Sequence, residues 1–192
     1  STPLYSSAAS DVYKRQFILF FIGFLITKDS LAEQASLESS LPERSNNWMS
    51  VQSKDDWLGL SEKQIHKRQL KFTSPEYGIR AGVVSLITRA LRKNNTPELT
   101  INQIFFESDG WAEDQHSYKM NVISKGYTNT DVINVMDRNQ MEKLINFISN
   151  HEMGAENYEA ITNKNEVINK GLDMAYDYVL SNKYSLRDLI NG

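Results

Sequence analysis

PEYGIRAGVVSLITRALRKNN, residues 75–95, is the stretch that decides the fold. Pro75 suits a first helical position, where its missing N–H would have had no partner anyway. Ile79, Val83, Ile87 and Leu91 then recur at every fourth residue, and Val84, Leu86 and Ala90 widen that apolar stripe. The spacing predicts a helix over 76–93, broad enough in its apolar face to be central. Gly78 and Gly82 lie one turn apart within it. Each costs up to about 1 kcal/mol against Ala in a helix, so a partner packed closely on that face is expected.

Downstream, Thr100-Ile101-Asn102-Gln103 reads as a capping box, with Ile101, Ile104 and Phe105 as the inward face of a short helix that Ser108-Asp109-Gly110 ends. Ser117 is placed to cap another helix, burying Tyr118 and Val122 and stopping at Gly126. Asp137 opens a further helix with Met141, Leu144, Ile145 and Ile148 inward, and Gly154 follows His151-Glu152. The last helix is expected over 164–181, with Ile168, Leu172, Ala175 and Val179 inward. Upstream, residues 57–74 carry Trp57, Leu58, Leu60, Ile65, Leu70 and Phe72 without a period, the pattern of a small hairpin or an irregular lobe. The expected fold is therefore mainly α, one helical domain over 46–181 with a small irregular or β-hairpin lobe. Residues 33–45 read as a linker and 182–192 as a tail, with folding beginning near residue 40.

The composition fits one domain with a real core: 192 residues, 40% apolar and 23% charged. A net charge of -3 argues against a nucleic-acid partner held by bulk charge. The absence of cysteine rules out disulfides and Cys-ligated zinc. Phe17 to Ile26, FILFFIGFLI, has the length of a signal-peptide hydrophobic core and is too short to span a bilayer comfortably. Ser30-Leu31-Ala32 follows with small residues around a cleavage point after Ala32. Residues 17–32 thus read as a signal peptide. An uncleaved anchor, the one expected route to a membrane, and a buried core helix are the alternatives. Residues 1–16, STPLYSSAASDVYKRQ, resemble translated sequencing-adapter sequence, so Lys14 and Arg15 are not taken as a native basic region.

A set of short motifs carries a resemblance: Asn46-Asn47, Trp57-x-Gly59, Phe72 to Ala81 (FTSPEYGIRA), Thr100-Ile101 and His151-Glu152-x-Gly154. Over about 45–178 this pattern resembles a family of phage virion structural proteins, in which Gly-Ile-Arg-Ala is the most specific element. Two departures stand out. The family's Pro-Gly-Asn-Ile-Arg after the paired asparagines is here Trp48-Met49-Ser50-Val51, and its Pro-Pro-x-Glu-Asn is here Gly110-Trp111-Ala112-Glu113-Asp114. That family in turn is similar to lysozyme-like glucosaminidases, whose catalytic Glu precedes the paired asparagines, and Leu37-Glu38-Ser39 stands in that place here.

The resemblance implies a lysozyme-like domain acting on or binding the glycan strands of peptidoglycan. Glycosidases of this kind use an acid of raised pKa and a second carboxylate. Glu38 is the candidate acid and Glu62, after Trp57-x-Gly59, its partner. Asn46, Asn47, Trp57, Glu113, Tyr118 and Glu152 are the candidate substrate contacts. Each has a plainer reading: Glu38 as a solvated residue near a mature N-terminus, Glu113 and Asp114 as surface loop, Trp57 as core or lid, and His151 as a helix-end residue. Glu76 fits a helix-dipole role at the start of the central helix. Trp48 and Trp111 are the other indoles on which a sugar could stack. His66 and His116 have no ligand spacing around them, and no phosphate loop, dinucleotide fingerprint or Ser-His-Asp signature is present. No metal and no cofactor is expected. The functional expectations are a peptidoglycan-binding or peptidoglycan-hydrolysing protein of a phage particle or the cell envelope, exported to the periplasm. The alternatives are a non-catalytic virion structural protein contacting other virion proteins, and a secreted helical interaction domain.

Overall fold

The architecture is mainly helical, with one small two-stranded sheet. A computed structural model describes residues 40–52, 55–112 and 114–181. Glu38, Glu113 and the segment 17–32 lie outside them. The described residues belong to one unit that begins at Ser40.

Chain order explains how the elements arise. Helix α1, Leu41–Arg44, is capped by the Ser40 hydroxyl, which accepts from the Glu43 amide at 3.4 Å. Helix α2, Pro75–Asn94, matches the stretch quoted above to within a residue at either end. It stops because Asn95 turns left-handed (φ 53°) and donates its N–H back to the Leu91 carbonyl at 3.0 Å. Strand β1, Glu98–Thr100, leads into α3, Ile101–Phe105. The capping box is made: Gln103 N–H donates to the Thr100 hydroxyl at 3.1 Å and Thr100 N–H to the Gln103 side chain at 2.9 Å.

Helix α4, Gln115–Ser124, begins three residues earlier than the sequence suggests, and its cap is Asp114 rather than Ser117. The Asp114 carboxylate accepts from the amides of His116 at 3.1 Å and Ser117 at 3.3 Å. A carboxylate is favoured there by the helix dipole as well as by its hydrogen bonds. Strand β2, Val132–Asn134, pairs antiparallel with β1, Leu99 opposite Ile133, and these two residues face the core. Helix α5, Arg138–Met153, is capped by Asp137, followed by the short α6, Ala155–Glu159, and the long α7, Lys164–Ser181.

The sheet therefore forms around α3 and not in residues 57–74. That segment is irregular, tied by an isolated bridge between Leu60 and Phe72 and by Thr73 N–H to the Gly59 carbonyl at 2.8 Å. Phe72 is fully buried and fixes the lobe to the body, while Leu58 and Ile65 stay exposed.

Helix α2 is the axis of the fold and packs chiefly on α7. The close-packing partner expected for its glycines is the loop 45–52. A Cβ on Gly78 would lie 2.2 Å from the Asn46 carbonyl oxygen, and one on Gly82 would lie 2.4 Å from the Met49 sulfur. On the α7 side, a Cβ on Gly171 would lie 2.6 Å from an Ile79 methyl. Three sites without side chains thus let backbone and neighbouring helix come within contact of α2.

The loop 45–52 is a knot of satisfied polar groups. Asn47 is fully buried; its amide nitrogen donates to the carbonyls of Val51 (2.9 Å) and Leu70 (3.0 Å), and its oxygen accepts from Val51 N–H at 2.8 Å. The Asn46 amide donates to the Phe72 carbonyl at 3.0 Å. The Trp111 indole N–H donates to the Met49 carbonyl at 2.7 Å. Trp48 is buried edge-on against Tyr158, with ring centroids 6.3 Å apart. Two of the three indoles are thereby structural.

Candidate functional site

A groove of about 980 Å³ lies along α2. Its floor is the stripe Arg80, Val84, Ser85, Thr88, Arg89 and Arg92; one wall is Asp55 to Leu60, including Trp57, and the other is Tyr178 and Val179 of α7. A helix repeat of three and four residues puts 85, 88, 89 and 92 on one face, which is why the polar side chains of α2 gather there. A shallower depression of about 410 Å³ shares Ser85 and Arg89 and continues to Trp111 and the loop 108–112.

The charges of this floor differ in how they are held. Arg89 donates to the carbonyls of Gln103 (3.4 Å), Ile104 (3.3 Å) and Asp109, and its Nε faces the Asp109 carboxylate at 3.8 Å. Asp109 also meets Lys93 at 2.9 Å and Arg92 at 3.5 Å. Burial works to raise the Asp109 pKa, but the Lys93 hydrogen bond and the Arg89 charge outweigh it and hold the carboxyl below its usual range. Arg80 is different: its guanidinium sits over the Tyr178 ring, 4.5 Å from the centroid, and burial pushes its pKa down, opposed by the neighbouring tyrosines.

A second assembly lies between α4 and α5. Buried Tyr118 donates its hydroxyl to the Glu152 carboxylate, and its ring lies against His151 with centroids 3.8 Å apart. Asn121 contacts the His151 ring nitrogen. Burial and then the Glu152 charge push the Tyr118 phenol well above its ordinary value. Burial lowers His151, with Glu152 and Asp114 pulling the other way. Asn121 and His151 open onto a cleft of about 480 Å³ that also holds Lys125, Lys143 and Lys164. This cleft shares no lining residue with the α2 groove.

The residues singled out from the sequence do not converge. Trp57 lines the groove. Tyr118 and Glu152 pair with each other elsewhere. Asn47 is buried with both ends of its amide bonded to backbone, and Asn46 donates its amide nitrogen to the Phe72 carbonyl, so both act as clamps. Glu62 is exposed on the lobe and is not part of the groove wall. Glu38 and Glu113 are outside the described residues. Glu76 sits in the first turn of α2, as its sequence position suggests, and faces Lys170 at 3.4 Å.

The groove instead adds Arg80, Ser85, Thr88, Arg92 and Tyr178. The signal for Arg80 was present: a lone cation between Ile79 and Ala81 in the most apolar part of α2. The signal for the others was the 85, 88, 89, 92 spacing on a helix that its apolar stripe makes easy to read as wholly internal.

Chemically, the groove combines an indole platform, guanidinium donors, hydroxyls and the carboxylates of Asp55 and Asp56, a set suited to a hydroxyl-rich ligand. The carboxyls of Glu76, Asp109 and Asp131 are all shifted downward, the opposite direction from a general acid. Among the described residues no group of three or more His, Asp or Glu could hold a metal ion, and no helix is long and apolar enough to cross a membrane. No family model matches the chain, and no curated protein is significantly similar to it.

Proposed function

We propose that this chain is a peptidoglycan-binding protein of the cell envelope or of a phage particle, built on a lysozyme-like scaffold, that holds glycan strands in the groove between the Trp57 lobe and α2. The observation that carries this reading is the half-buried Trp57 beside Asp55, Asp56, Ser85, Thr88 and Arg92 in one open groove. Pyranose rings stack on an indole face while their hydroxyls need donors and acceptors at the rim.

The motif residues add support, because they interlock. The Asn46 carbonyl rests on Gly78, the Tyr77 ring fills the space beside Gly59, and Phe72 N–H donates to the Ser45 carbonyl at 2.8 Å. Paired asparagines, Trp-x-Gly and Gly-Ile-Arg-Ala are thus one packing unit, which is how a shared scaffold would retain them together.

Binding is favoured over hydrolysis by the inward-turned Asn46 and Asn47 and by the position of Glu62 away from the groove. The same observations favour, as a second reading, a non-catalytic virion structural protein that keeps the scaffold and contacts other virion proteins.

The test is co-sedimentation of the purified chain with insoluble peptidoglycan, with turbidity followed in the same suspension, for wild type, Trp57→Ala and Glu38→Gln. Wild type is expected to co-sediment without clearing, and Trp57→Ala to bind about tenfold more weakly, the usual effect of truncating a central aromatic contact. Clearing by wild type but not by Glu38→Gln would make the protein a hydrolase with Glu38 as its acid. Neither sedimentation nor clearing would sink the glycan reading and leave a helical interaction domain.

A further inference from the structure

Arg80 is a buried cation that the described residues leave without an anion. It is 6% exposed. Its guanidinium lies over the Tyr178 ring, 4.5 Å from the centroid, with Tyr77 also near it. It makes no hydrogen bond or ion pair with a described residue. The other arginines of the body show the normal alternative: Arg89 meets three carbonyls and Asp109, and Arg138 meets Asp173 at 2.5 Å and the Asn169 side chain at 3.0 Å. Although Arg80 is mostly buried, none of its nitrogens is sealed from the groove, so its donors reach the groove without an acceptor among the described residues. The cation is attracted to the ring face, but an aromatic face accepts no fork of hydrogen bonds.

The side chain lines the 980 Å³ groove on the same floor as Ser85 and Thr88, with Trp57 on the facing wall. A ligand lying in the groove would bring its acceptor to Arg80. The opposite wall narrows the kind of ligand. Asp56 is exposed there, and its carboxylate would repel a continuous polyanion while accepting hydrogen bonds from hydroxyls. The groove therefore suits a ligand with one localised anion and many hydroxyls.

We propose that Arg80 forms an anion subsite of the groove and that its ligand is a saccharide bearing a carboxylate, an inference that rests on the groove being a glycan site. Planar carboxylate and planar guanidinium pair through two parallel hydrogen bonds, which fixes orientation as well as affinity. In peptidoglycan such a carboxylate comes from two sources: the lactyl ether of the muramic sugar where the stem peptide has been removed, or the stem peptide itself.

The experiment titrates the purified full chain calorimetrically with three tetrasaccharides: uncharged chitotetraose, a peptidoglycan tetrasaccharide with free lactyl carboxylates, and the same tetrasaccharide carrying stem peptides. At least one acidic tetrasaccharide is expected to bind about tenfold or more tightly than chitotetraose, the usual effect of a hydrogen bond to a charged group. Whichever acidic ligand binds tighter identifies the source of the carboxylate. In Arg80→Gln, that preference should shrink to within about threefold. The comparison among ligands on wild type stands even where the variant folds poorly. Equal affinity for all three ligands overturns the anion subsite and leaves the glycan site standing. A separate readout is the rise in thermal midpoint of wild type in sodium lactate over sodium chloride at equal ionic strength. That rise without binding of any tetrasaccharide keeps the anion subsite and removes the glycan reading; neither rise nor binding removes both.

Discussion

Two irregular stretches flank α2 and behave in opposite ways. In the loop 45–52, Asn47 replaces the missing backbone ladder with three side-chain hydrogen bonds, and backbone comes to within contact of Gly78. In the lobe 55–72, one isolated bridge, Gln64 bonded to the Lys71 backbone and links from Gln69 and Leu70 to the loop 45–52 hold the chain, and Leu58, Ile65 and the two aspartates are exposed. The first carries the paired asparagines; the second carries Trp57-x-Gly59 and one wall of the groove. A short motif can therefore mark a buried clamp, as at Asn47, or the wall of a groove, as at Trp57.

The sharpest way to break this comparison is Gly78→Ala. On helix propensity alone the change stabilises by about 1 kcal/mol. The new Cβ would stand 2.2 Å from the Asn46 carbonyl oxygen, which belongs to backbone and cannot swing aside. A net loss of about 3 kcal/mol or more is expected in urea unfolding, the range of overpacked cores. Gly126→Ala is the control: its φ is 80° with open space around it, so only the left-handed penalty of about 1 kcal/mol applies. If the two variants lose the same amount, the knot is not tight. Next in size is Asn47→Ala, which leaves the buried Val51 N–H and the carbonyls of Val51 and Leu70 without their partner. About 3 kcal/mol is expected, against about 1 kcal/mol for Asn46→Ala, which removes one bond to Phe72.

The helical body was legible because its signals are local. The apolar stripe and Pro75 gave α2, Thr100 with Gln103 gave α3, and Asp137 gave α5. Ser117 was the expected cap of α4, and the structure uses the Asp114 carboxylate three residues earlier. The sheet was missed because β1 and β2 are three residues each and separated by more than thirty positions, so their pairing leaves no periodic trace. The site was legible only at Trp57. Asn46 and Asn47 look like ligand contacts in sequence, yet an amide is equally able to bind backbone, and only burial decides between the two. Arg80 was overlooked for the converse reason, since a charged residue in an apolar helix reads as a snorkelling side chain until its surroundings are known.

The smallest expected effect concerns the nature of the inward-turned groups. The knot uses amides, which do not titrate. The seam between α4 and α5 uses His151, which burial holds below its ordinary pKa despite Glu152 and Asp114. As pH falls, the unfolded chain takes up this proton first, near its ordinary value of about 6.5, and the folded chain only later. The stability tied to neutral His151 is therefore complete above that value and is lost as pH falls through it toward the folded pKa. Urea midpoints measured from about pH 8 to 5 should decline for wild type and decline less for His151→Gln. Parallel profiles for the two proteins would mean that the ring contact with Tyr118 and the approach of Asn121 do not penalise the imidazolium, and that the seam, like the knot, is indifferent to pH.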